Sequence, residues 1–117
     1  MNPEIKQKWL DALRSGRYLQ GQGKLHYRDG ITGEHYYCCL GVLCEVLGIK
    51  SEVEESEYTT YSYDGNFDVL PKSVIAVSGL STPTGLFVMD GKENELSALN
   101  DTRTSFENIA DLIEVYF

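Results

Sequence analysis

Residues 38–47, Cys38-Cys39-Leu40-Gly41-Val42-Leu43-Cys44-Glu45-Val46-Leu47, carry one charge in ten positions. At helical spacing, Leu40, Leu43, Cys44 and Leu47 form one stripe, and Cys39, Val42 and Val46 form a second. A helix that is apolar nearly all round must be buried on most of its sides, which puts this segment at the centre of the fold. Gly48 stands where a left-handed cap would end it. The chain has 117 residues, 42% of them hydrophobic. That is one domain's length, and enough for a core without disulfides or metals.

The flanking segments supply the layers. Asn2, Pro3 and Glu4 make a helix start, and Ile5, Trp9, Ala12 and Leu13 fall on one face, which predicts a helix over 3–15 stopped by Gly16. Thr104 and Glu107 have capping-box spacing ahead of a helix with Phe106, Ile109, Ala110, Ile113 and Phe117 on its apolar face. Residues 24–28 and 34–37 read as strands joined by a five-residue loop, Asp29-Gly30-Ile31-Thr32-Gly33. Residues 57–63 are β-rich, and Asp64-Gly65-Asn66 turns them back into 67–69. A short helix is expected over 71–77. Residues 86–89 form a further strand turned by Asp90-Gly91, and one or two helical turns are expected over 95–100. The charge run 51–57 reads as a solvated loop or a sheet edge. The sum is a single α+β domain over 1–117, with an antiparallel sheet packed on two main helices and a shorter one.

Charge narrows the function classes. The chain carries 18 acidic and 10 basic residues, a net charge of −8. The excess is uneven: residues 1–50 total +2 and residues 51–117 total −10. This balance opposes binding to nucleic-acid backbones and to anionic membranes; it permits an acidic face meeting a basic partner, and a plain solvated surface accounts for it as well. No apolar run reaches the length of a membrane span. The N-terminus lacks an apolar signal core, and three clustered cysteines are no disulfide framework, so a reducing cytoplasm is the expected location.

His35, Cys38, Cys39 and Cys44 invite a zinc site, but on a helix Cys39 and Cys44 differ by about 140° around the axis, and Cys38 and Cys44 by about 9 Å along it. No metal is expected. Cys38 or Cys39, at a strand-to-helix junction, is a candidate nucleophile with only His26 or His35 as base. A buried cysteine pair is the favoured reading, and no catalytic residue is assigned. No GxGxxG, GKS or GKT motif is present, and no cofactor is expected. Arg14, Tyr18 and Gln20 in the basic first loop, with Asn100 and Asp101 before the last helix, form a candidate site for a small anionic ligand. Glu52, Glu54, Glu55 and Glu57, with Tyr58 and Tyr61 of the tyrosine-rich strand, form a candidate partner-binding surface. Tyr61 and Tyr63 are expected on one face of that strand and Tyr58 on the other.

Three elements carry a family resemblance. The run Trp9-Leu10-Asp11-Ala12-Leu13-Arg14-Ser15-Gly16-Arg17-Tyr18-Leu19-Gln20-Gly21-Gln22-Gly23-Lys24-Leu25 resembles the opening of a group of small phage-encoded proteins. So do Tyr37-Cys38-Cys39-Leu40-Gly41-Val42-Leu43-Cys44 and Leu99-Asn100-Asp101, the last followed by Ser105-Phe106 and Ile109-Ala110-Asp111-Leu112-Ile113-Glu114. The likeness thins over 51–69 and 81–94. It implies a phage or prophage source and supplies no catalytic residue. By size, charge and source, the expected role is an accessory protein that binds a host macromolecule, such as a component of a bacterial defence system. A ligand-sequestering protein is the second expectation, and a thiol enzyme the third.

Overall fold

The computed structural model describes residues 1–117. The first helix, α1 (Pro3–Arg14), begins as its sequence requires. The Asn2 side chain accepts from the backbone N–H of Glu4 and of Ile5 at 3.0 and 3.1 Å, and Pro3 takes the first helical position. Its buried face is Trp9, Leu10, Ala12 and Leu13. Two short strands follow the first loop, β1 (Leu19–Gln20) and β2 (His26–Arg28), and then β3 (His35–Tyr37). The chain next enters α2 (Cys39–Val46), which is buried at every position from Cys39 to Cys44. The nearly continuous apolar character of this segment is satisfied by packing against β3, α1 and α4 (Leu96–Asp101).

The remaining elements are β4 (Ser51–Glu55), β5 (Thr59–Tyr63), α3 (Lys72–Ser78), β6 (Leu86–Met89), β7 (Lys92–Glu95) and α5 (Phe106–Tyr116). The main sheet has the order β1-β3-β2-β5-β4, and β6 and β7 form a separate two-stranded ribbon. The fold is α+β, as the order of elements implies, but the main sheet is mixed rather than antiparallel. Leu19 and Gln20 pair in parallel with Tyr36 and Tyr37. A two-residue strand has no readable period, so its pairing lies outside what alternation reveals. The strand β7 (KENE) lacks any apolar residue and is formed by its turn and its ladder to β6. Residues 67–69 are not a strand: Phe67 gives its carbonyl to Leu25 N, and Asn66 bridges back to Tyr63.

The last helix starts one residue later than its capping box predicts. Ser105, not Thr104, is the N-cap, and its hydroxyl accepts from Asn108 N at 3.2 Å. Thr104 N instead donates to Leu99 O and ends the preceding turn. Both α5 and α2 pack on α1. Trp9, with no exposed surface, donates its indole N–H to the Cys39 carbonyl at 2.9 Å and so pins α1 to the start of α2. One cluster of 21 buried residues joins all these helices to Leu25, Tyr63 and Phe87.

Candidate functional site

The sequence-predicted ligand residues separate into three places. Arg14 reaches from α1 to α5, with Asp111 at 2.8 Å and Glu114 at 3.4 Å. Those carboxylates, Asp111 foremost, raise its pKa. Gln20, Asn100 and Asp101 do come together, but as an internal bracket. The Asn100 side chain accepts from Cys39 N at 3.1 Å and Gln20 Nε2 at 3.0 Å, and donates to Gly21 O at 2.8 Å. Asp101 accepts from Gly23 N at 2.9 Å. Asn100 is completely buried. Tyr18 stands apart from the other four, its ring at right angles to that of Tyr37.

The acidic run is an edge strand, not a loop. It lies at the end of the strand order and pairs only with β5, from Ser51 opposite Tyr63 to Glu55 opposite Thr59. Alternation puts Glu52 and Glu54 on one face, and Val53 and Glu55 on the other. Glu55 has Arg28 at 3.7 Å. Val53 is 58% exposed and Tyr58 71% exposed. Glu57 lies in the exposed bend between the strands. Tyr61 is opposite Val53 but leaves the edge patch, because its ring lies flat on His26 at 3.9 Å between centroids.

His26 opens a constellation that residue types alone did not reveal. It is buried between Tyr37 and Tyr61, stacked on both. Its Nε2 is 2.7 Å from His35 Nδ1, and its Nδ1 is 3.0 Å from the Tyr63 hydroxyl. Tyr63 in turn donates to Glu45 Oε2 at 3.2 Å. One assignment of protons satisfies every bond. The Tyr63 hydroxyl spends its proton on Glu45 Oε2. Tyr63 oxygen then accepts from His26 Nδ1–H, and His26 Nε2 accepts from His35 Nδ1–H. His26, His35, Tyr37, Tyr61 and Glu45, with Arg17, Tyr18, Leu19, Glu34 and Ser51, line an open groove of about 500 Å³, and Tyr63 is buried behind it. Cross-strand register was the available clue: a hairpin that sets Arg28 opposite His35 and His26 opposite Tyr37 places both histidines on one face.

Burial, and secondarily His35, holds His26 at a pKa of about 4 against its ordinary 6.5. The unfolded chain therefore binds a proton first as pH falls, and stability declines from about pH 6.5 toward pH 4. The full cost is about 3 kcal/mol. Urea midpoints measured across that range should show this decline, and it should be absent from the His26→Gln protein. Parallel curves for the two proteins would refute the assignment.

The thiols are poor nucleophiles. All three are buried. Burial pushes Cys38 up to about 11 and Cys44 up to about 12, and holds Cys39 well above its ordinary value. Cys38 is the N-cap of α2, its sulfur accepting from Gly41 N, while the Cys39 thiol turns to Leu96 O. The imidazoles bond to each other and to Tyr63, not to sulfur. The expected lowering of a thiol pKa by helix amides is overridden by desolvation.

One domain family, described as Domain of unknown function (DUF8296), matches the chain over residues 1–117. No curated protein and no solved structure matches it.

Proposed function

We propose that this chain, which belongs to the family described as Domain of unknown function (DUF8296), is a phage-encoded accessory protein that binds a host protein stoichiometrically. Inhibition of a defence component is the expected consequence. The observation that supports this reading is the free edge of β4. A strand paired on one side presents unbonded backbone groups to a second chain. Here it carries Glu52, Glu54 and Glu55, with the exposed Val53 between them. The partner that fits is a basic segment in extended conformation, which would add a strand and meet the carboxylates. Three unpaired, buried thiols suit action in the host cytoplasm. No helix is long and apolar enough to cross a membrane.

The small-ligand reading built on Arg14, Tyr18, Gln20, Asn100 and Asp101 has weaker support, because all of them but Tyr18 spend their polar groups on the internal bonds described above, and Tyr18 stands apart.

Lysine at positions 52, 54, 55 and 57 tests the edge. The substitutions lie on exposed side chains and should leave the melting temperature nearly unchanged. Four reversed rim charges should weaken a captured host partner by about 100-fold. Wild-type binding should also fall steeply with salt. Partner binding that survives the reversal intact would dismiss the acidic edge.

A further inference from the structure

We propose that the histidine–tyrosine groove seats the guanidinium of an arginine side chain carried by the basic partner, with Glu45 as its counter-ion. The inference rests on the basic-partner reading above, but its site is the groove and not the edge.

Glu45 is the central observation. It stands in the last turn of α2, where the helix dipole is negative and no basic residue offsets it. None of the four ion pairs of the chain includes it. It is half-buried, and its bond is to the neutral Tyr63 hydroxyl. A carboxylate placed at the wrong helix end without a cation is costly, and a cationic ligand would remove the cost.

The surroundings select a guanidinium. Tyr18 and Tyr37 meet at 89° with centroids 5.2 Å apart, and Tyr61 adds a third aromatic side. Tyrosine faces attract a guanidinium and stack with its plane. The polar lining offers the acceptors Glu45, Glu34 and Ser51. Arginine has five donors and no acceptor. Buried His26 stays neutral, so the floor does not repel a cation. Ser51 begins β4, and therefore a segment lying along that strand passes the groove mouth. Arg17 is the one fixed cation in the lining. It is exposed and makes no ion pair, which leaves it free to swing outward.

The test titrates the full chain with N-acetyl-arginine methylamide, followed by NMR at His26, His35 and Tyr61. Saturable shifts with a Kd of roughly 1–10 mM are expected. The neutral citrulline analogue should give none. Glu45→Gln keeps an acceptor for Tyr63, and should abolish the shifts while the melting temperature stays level or rises. Arg17→Ala should tighten binding about threefold. Silence up to about 50 mM arginine ligand overturns the proposal. So do equal binding of citrulline, weaker binding in Arg17→Ala, or a large stability loss in Glu45→Gln. Inorganic phosphate shifting the same resonances, with loss in Arg17→Ala, would identify an anion site instead and also overturn it. The lysine variant of the β4 edge separates the two readings. Groove shifts that persist there while partner capture never depended on the edge reject the edge alone. Edge-dependent capture with a silent groove rejects the groove alone.

Discussion

Asn100→Ala is expected to destabilise the protein by about 4 kcal/mol, seen as a lower urea midpoint with an unchanged slope. The side chain has no exposed surface, and three polar groups depend on it. Cys39 N is one of the unpaired amides at the start of α2, and Asn100 caps it from a different helix. Gly21 O receives the Asn100 amide, and Gln20 Nε2 gives to its oxygen. Gln20 keeps a second acceptor in Thr104 O at 2.7 Å. The Cys39 amide and the Gly21 carbonyl have no such substitute, and each buried orphan costs about 1–3 kcal/mol. Asn100→Asp should do no better, because a carboxylate cannot donate to Gly21. A loss below about 1 kcal/mol in Asn100→Ala would mean that water or a shifted loop replaces the bracket.

The bracket also shows where sequence reasoning stops. The pair Asn100-Asp101 stood out as polar at the end of an apolar stretch, and both residues do matter to the geometry. Their partners lie 61 to 80 positions away, and no local pattern encodes such pairings. Arg14 is a similar case. Its charge suited a ligand, but α5 brings Asp111 and Glu114 to it. The helices were legible because burial on one face imposes a period of 3.6 residues. The edge character of 51–57 was legible because consecutive carboxylates do not enter a core. The strands β1 and β7 were not, one being too short and the other too polar. The groove was half legible. The hairpin register brings His26, His35 and Tyr37 to one face, while Tyr63 and Glu45 arrive through β5 and α2. Alternation sets Tyr61 on the face of Tyr63, and its partner there is a histidine rather than the acidic patch.

Replacing Gly41 by alanine should cost about 4 kcal/mol, although alanine favours a helix interior by about 1 kcal/mol over glycine. The reason lies outside the helix. A methyl group built at Gly41 would fall 1.8 Å from the carbonyl oxygen of Leu25 and 2.7 Å from its carbonyl carbon. Both atoms are backbone, and they are held from two sides. Cys38 N donates to Leu25 O at 3.2 Å, and Leu25 N donates to Phe67 O at 2.7 Å. Relief would require moving α2 off the chain leading into β2, and with it the Trp9 bond to Cys39. The segment Cys38-Cys39-Leu40-Gly41-Val42-Leu43-Cys44 can thus be understood position by position. Cys38 caps the helix, Cys39 fills the space under Leu96, Gly41 admits the Leu25 backbone, and Leu40, Val42, Leu43 and Cys44 complete the core. Chemical denaturation of Gly41→Ala decides the matter. A stability equal to or above wild type would show that helix propensity governs this position, and that the contact with Leu25 yields without cost.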